Sequence, residues 1–286
     1  MPGITRLCCL LLLACLPLSG RGEPVRERLP SGLTGLADYR PGEAGKPAVL
    51  VLHGFLSTHH FATVQNLVET LADEGYPVLA PTLTLGIDGR QSSLPCEAIH
   101  THSLEQDLAE IDHWLRWLAR HHAGPIVLIG HSWGSLELLA WLSGPGHSRV
   151  RLLIATSLSH AGSFHPEAQI RRQRREARAA RRNGHDQPRR LSLGYCQGNY
   201  VSPPSAWLSY LRWDAVRVLA ALREAPVPVR VILGGADRRF DRHWRRVLRL
   251  NGARLDIIPG ASHFFDAEHK FELGDAVLRH VKRVVE

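Results

Sequence analysis

Beyond its first twenty residues the chain is nearly free of cysteine: Cys8, Cys9 and Cys15 sit in that leader, and only Cys96 and Cys196 follow. Neither these two nor any spacing of His, Asp and Glu suggests a metal ligand set, so no metal and no other cofactor is expected. Apolar runs are short as well. The longest, Leu7 to Leu18, falls below the roughly 20 residues needed to span a bilayer. No internal repeat is visible, which excludes a stacked-repeat architecture. There is no acidic residue from Val150 to His165. Excess positive charge is confined to one place: the formal net charge is +8, and nine arginines against three acidic residues between Glu167 and Arg190 account for six of it. A local excess of this kind does not describe a general nucleic-acid binder, and no nucleic-acid partner is expected.

What is present begins with an export signature. Arg6 precedes the Leu7 to Leu18 run, which has the length of a signal-peptide core, so residues 1–20 read as a leader cleaved after Gly20 and the mature protein as periplasmic or secreted. The alternative is a lipoprotein anchored at Cys15, because Leu12-Leu13-Ala14-Cys15 is similar to a lipobox. Residues 21–44 form a lead-in. The remainder, 45–286, has the length of one α/β domain with an insertion. Strand and helix patterns alternate along it, predicting a mostly parallel, doubly wound sheet. The clearest helix starts at Ser103, where Ser103 and Gln106 have capping-box spacing and Leu104, Leu108, Ile111, Leu115 and Leu118 recur every three or four residues.

Four segments carry chemistry, each at the end of a strand pattern. Pro125-Ile126-Val127-Leu128-Ile129 runs into Gly130-His131-Ser132-Trp133-Gly134, a G-x-S-x-G turn leading into a helix. Gly130 and Gly134 are required because a side chain at either place would strike the neighbouring strand or helix, and Ser132 becomes the candidate nucleophile. A serine hydroxyl needs a base and the base needs an orienting carboxylate. Val229 to Leu233 leads into Gly234-Gly235-Ala236-Asp237, and Leu255 to Ile258 leads into Pro259-Gly260-Ala261-Ser262-His263. Asp237 is thus the candidate acid, with Asp241 and Asp266 as rivals, and His263 the candidate base. Ala48 to Leu52 ends in His53-Gly54-Phe55, a turn whose Phe55 N–H could join that of Trp133 as an oxyanion hole.

Over residues 45 to 286 the chain resembles α/β-hydrolase-fold enzymes of the esterase/lipase type, on these four motifs in this order. The resemblance implies that Ser132, Asp237 and His263 form a triad, that Phe55 and Trp133 donate to the oxyanion, and that a helical cap is inserted at about 160–205. One departure is the short oxyanion turn, in which His53-Gly54 is followed by Phe55-Leu56-Ser57-Thr58 and not by a longer glycine-rich loop. The expected activity is hydrolysis of a small-molecule or lipid-like carboxylic ester through an acyl-enzyme. An acyltransferase or aminopeptidase on the same triad is the alternative, since Ser132-Trp133-Gly134-Ser135 is similar to the string in proline iminopeptidases. A non-catalytic binding protein of the same fold is the third reading.

In an exported chain, Cys96 and Cys196 invite a disulfide; otherwise they are two thiols, one of them buried. The arginine-rich segment is expected to be a solvated cap helix, with a surface that attracts an acidic substrate or makes weak contact with an anionic membrane as the alternative. His59-His60 and His121-His122 read as surface histidines, Trp114, Trp117, Trp207 and Trp213 as packing residues, Ser135 as a helix residue, and His53 as structural.

Overall fold

The chain opens with an antiparallel pair, β1 (Glu23–Arg28) and β2 (Thr34–Arg40), and then alternates: β3 (Ala48–Leu52), α1 (Ala62–Asp73), β4 (Val78–Thr82), α2 (Leu104–His121), β5 (Ile126–His131), α3 (Trp133–Leu142) and β6 (Val150–Thr156). After α4 (Glu167–Arg182), β7 (Arg189–Leu193), β8 (Cys196–Ser202), α5 (Pro204–Leu211) and α6 (Ala215–Glu224), alternation resumes with β9 (Val229–Gly234), α7 (Arg242–Leu250), β10 (Arg254–Ile258) and α8 (His269–Lys282). This is a computed structural model, and the residues it describes are 22–144 and 148–284. The expected leader, including Cys15, lies outside them.

Eight strands form one sheet in the order β1-β2-β4-β3-β5-β6-β9-β10, parallel from β4 to β10. Its central strands are buried at every position, as parallel strands covered on both faces must be. Successive residues serve opposite faces: Leu50, Leu52 and Leu128 pack with α2 and α3, while Val49, Val51 and Val127 pack with α1 and α8. The sheet is therefore doubly wound and mostly parallel, as the alternating pattern predicts. The capping box at Ser103 and Gln106 is formed, and its helix buries Leu104, Ile111, Leu115 and Leu118.

The insertion between β6 and β9 differs from a purely helical cap. Besides the helices α4, α5 and α6 it contains the antiparallel hairpin β7–β8, closed by a tight turn in which Gly194 takes φ +56°. α4 has no continuous apolar stripe and buries only Ile170, Ala177 and Ala180. It docks through amides: Gln169 Nε2 donates to Ser192 Oγ at 2.7 Å, and Ser192 N donates to Gln173 Oε1 at 3.1 Å. Arg174 donates to the Leu211 carbonyl at 2.7 Å. The arginines therefore remain largely solvated while the helix is held by residues between them.

Cys96, in the segment before α2, is joined to Cys196 in β8. Backbone bonds run alongside, from Val201 N to Cys96 O (3.2 Å) and from His100 N to Val201 O (2.8 Å). Across a sequence separation of 100, loop entropy alone assigns the bridge about 4 to 5 kcal/mol.

Candidate active site

Ser132 sits between β5 and α3 with φ +56° and ψ −114°, a conformation that costs a non-glycine residue of order 1–3 kcal/mol and persists only when its surroundings impose it. The surroundings are identifiable. A Cβ on Gly130 would run into the backbone of Gly134 and Ser135, and one on Gly134 into the carbonyl oxygens of His53 and Leu52. Ser132 N donates to Thr156 O at 2.8 Å, and Ser135 Oγ, inside α3, donates to Gly130 O at 2.7 Å and Thr156 O at 2.8 Å. The turn is locked to β5 and β6 on both sides.

Across from it, the loop after β10 brings His263 Nε2 to 2.8 Å from Ser132 Oγ. The other ring nitrogen, Nδ1, lies 2.6 Å from Asp237 Oδ2 at the end of β9. Asp237 Oδ1 accepts from Arg239 N at 3.0 Å, and His263 O accepts from Ser157 Oγ at 2.9 Å, so acid and base are each held by the backbone or a buried hydroxyl. The rival carboxylates are engaged elsewhere. Asp241 caps α7 by accepting from Trp244 N (2.7 Å), and Asp266 accepts from Ser262 Oγ (2.8 Å).

Electrostatics favour a neutral imidazole against an ionised carboxylate. Burial pushes the His263 pKa down; the Asp237 hydrogen bond opposes this, the nearby Arg239 guanidinium reinforces it, and the net is below the usual histidine value. Burial would raise Asp237, but the His263 hydrogen bond and charge, with Arg239, outweigh it and leave it below the usual carboxylate range. His131, fully buried beside His263, is kept well below its ordinary value by desolvation and then by His263 and Arg239, so it adds no charge.

Gly54 lies against Ser132, its would-be Cβ 3.5 Å from Ser132 Cβ, and Phe55 follows it directly. The Phe55 and Trp133 rings pack at 4.8 Å. Trp133 opens α3, so its N–H has no intrahelical carbonyl to bond. His53 is buried, accepts from Leu83 N through Nε2 at 3.1 Å, and is driven to a pKa of about 3, chiefly by desolvation and then by Arg90. It is a neutral pillar of the turn.

Ser132 and His263 form the floor of a cavity of about 740 Å³ whose walls include Phe55, Phe61, Phe164, Tyr195 and Phe264. This mostly parallel sheet flanked by helices agrees with the family model that matches residues 49–273, described as the alpha/beta hydrolase family. The chain belongs to the alpha/beta hydrolase family. No curated protein matches it in sequence. Among solved structures, Est1E from Butyrivibrio proteoclasticus is 17% identical with TM-score 0.66, over 93% of this chain and 100% of that one. A thermophilic esterase from Thermogutta terrifontis is 19% identical with TM-score 0.63, over 92% and 100%. GrgF, an alpha/beta hydrolase from Penicillium sp. sh18, is 16% identical with TM-score 0.67, over 92% and 97%. At these identities the likeness is one of fold.

Several residues around this family site had no sequence signal. Arg90 is buried beside the His53-Gly54-Phe55 turn and donates to three carbonyls: Ser57 (2.6 Å), Leu83 (2.7 Å) and Ser92 (2.9 Å). Below it, burial raises Glu110 to about 7, and burial with the Asp107 and Glu110 charges raises Glu137 further. His59, expected at the surface, is buried instead. Its Nδ1 sits 2.6 Å from Thr82 Oγ1, and burial lowers its pKa to about 4; a doublet in a turn places its two side chains in different environments, and here only His60 is exposed. Trp114, Trp117, Trp207 and Trp213 are all in the core, and none lines the cavity.

Proposed function

We propose that this member of the family is a serine hydrolase that cleaves a carboxylic ester through an acyl-enzyme on Ser132. The observation that carries the reading is the unbroken relay from Asp237 through His263 to Ser132 at the floor of an aromatic cavity. Ser132 Oγ attacks the ester carbonyl while His263 Nε2 takes its proton, and Asp237 holds the imidazole in the required tautomer and offsets the charge it gains. The N–H groups of Phe55 and Trp133 receive the developing oxyanion. His263 then passes its proton to the departing alkoxide, and a water activated by the same nitrogen releases the acid.

A panel of p-nitrophenyl esters of increasing chain length, run beside aminoacyl amides, tests this. The expected result is turnover of the esters in excess of the amides, with a pre-steady-state burst of nitrophenol equal to the enzyme present. Preference for the amides would shift the reading to an aminopeptidase, and inertness towards the whole panel would overturn it.

Export belongs to the same proposal. A bridge between the cysteines that follow the leader suits an oxidising compartment, and the mass of the protein recovered from periplasm or medium should correspond to a chain starting at Arg21. Recovery of the full-length chain would contradict this.

A further inference from the structure

The cavity walls are unevenly charged. Arg238 and Arg239 line the cavity beside His263, and no Asp or Glu is among the described residues that line it. Both arginines are exposed. The Arg239 guanidinium lies over two rings, 5.0 Å from the centroid of Phe264 and 5.8 Å from that of Phe164. Those same rings flank the catalytic imidazole, at 5.1 Å for Phe264 and 6.3 Å for Phe164. Elsewhere in the lining the Phe55 ring packs on Trp133 and Tyr195, and apart from Arg238 and Arg239 no Asp, Glu, Lys or Arg lines the cavity among the described residues.

Position converts this asymmetry into chemistry. The group that departs must sit where His263 Nε2 can hand it a proton, so the alcohol half of an ester lies on the Phe164, Phe264 and Arg239 side. The acyl half is left to the uncharged aromatic wall. A guanidinium in that place opposes the turnover of a neutral ester. The charged or titratable groups facing His263 are Asp237, Arg239 and the neutral His131, and when His263 becomes an imidazolium Arg239 repels it. An anion on the alcohol half removes that repulsion and gains a charge-assisted hydrogen bond from a planar donor already oriented by two rings.

We infer, granting the serine hydrolase reading above, that the substrate is a carboxylic ester whose alcohol half carries an anionic group, received by Arg239 with Arg238 at the mouth of the cavity. Carboxylate, phosphate and sulfate share the required chemistry.

Two matched pairs of esters test it. 4-Acetoxybenzoate against 4-acetoxybenzamide places or removes an anion on the alcohol half; 4-nitrophenyl hemisuccinate against 4-nitrophenyl butyrate does so on the acyl half. The expected kcat/KM favours 4-acetoxybenzoate over its amide by about 10-fold to 100-fold, the scale of one charge-assisted hydrogen bond. The double variant R238Q/R239Q should erase that ratio mainly through KM, R239K should keep part of it, and Arg246→Gln, on the exposed side of α7, should not change it. Added salt should compress the ratio in the wild type. If the amide is turned over but the ratio is near one, or survives R238Q/R239Q, the inference is overturned while ester hydrolysis stands. A preference for the hemisuccinate with none for the benzoate would place the anion on the wrong half and also overturn it. Failure to hydrolyse any of the four esters would instead strike the serine hydrolase reading itself.

Discussion

Asp237→Asn should lower kcat for a p-nitrophenyl ester on the order of 10⁴-fold, the scale of the analogous change in a serine protease triad, with its circular dichroism spectrum unchanged. With its oxygen kept on the Arg239 N–H, which Asp237 Oδ1 accepts at 3.0 Å, the Asn side chain turns its NH2 towards His263 Nδ1, where Asp237 Oδ2 sits at 2.6 Å, and that group can only donate. That moves the ring proton to Nε2, facing Ser132 Oγ, where a lone pair is needed to accept the hydroxyl proton. Geometry survives and chemistry does not. Asp241→Asn and Asp266→Asn should each leave kcat within a few-fold of wild type, because those carboxylates serve a helix cap and the Ser262 hydroxyl. Near-normal kcat in Asp237→Asn, with loss in either of the others, would refute the assignment of the acid.

The folded protein should lose several kcal/mol of stability between about pH 6.5 and pH 4. Desolvation first, with nearby cationic or histidine neighbours second, takes His53 to about 3 and His59 and His100 to about 4, and His131 lies well below its ordinary value for the same first reason. Each is neutral when folded and binds a proton when unfolded near pH 5, so acidification favours unfolding. Each tenfold loss of proton affinity on folding is worth roughly 1.4 kcal/mol, so each of the first three contributes on the order of 3 kcal/mol that is present above the unfolded histidine value and lost below it. Glu110, raised to about 7, and Glu137 act in the opposite sense, gaining stability as the pH falls towards 4.5. Two carboxyls offset only part of four histidines. Urea midpoints measured from pH 7.5 to 4 should therefore fall steadily below pH 6.5. A flat profile would mean that these side chains reach water in the folded state.

The legible parts of this molecule are those set by short stretches of chain. Ala48 to Leu52 and Ile126 to Ile129 are apolar at every position because both faces of a parallel strand are covered, and Gly130 and Gly134 mark a turn that admits no side chain. Ser132, Asp237 and His263 could be proposed because each follows a strand pattern within a few residues, at a turn. The hairpin β7–β8 is hidden because β7 begins with Arg189 and Arg190 and β8, from Cys196 to Ser202, alternates only weakly. Phe164, Arg239 and Phe264 come from three separate loops and acquire a common meaning only where they meet around one imidazole. Arg90 and Glu137 look like surface residues in sequence, and only the tertiary fold reveals that both are buried.

The hairpin that walls the cavity through Gly194 and Tyr195 also carries the half-cystine that ties it to the segment before α2. The same strand is stitched there by Val201 to Cys96 and His100, and Asn199 donates to Glu97 at 2.6 Å. Wall and segment are therefore tied by a disulfide, two backbone bonds and a side-chain bond, a tether that opposes the swing of a lid. The entrance is an aperture of fixed width on this side. On the proposed hydrolase reading, substrates are expected to be sorted by size at this edge, before any chemistry. Thiol reductant removes only the covalent tie: the Val201, His100 and Asn199 bonds still hold the hairpin to the segment, and the Asp237, His263 and Ser132 relay on the sheet behind it keeps its own supports.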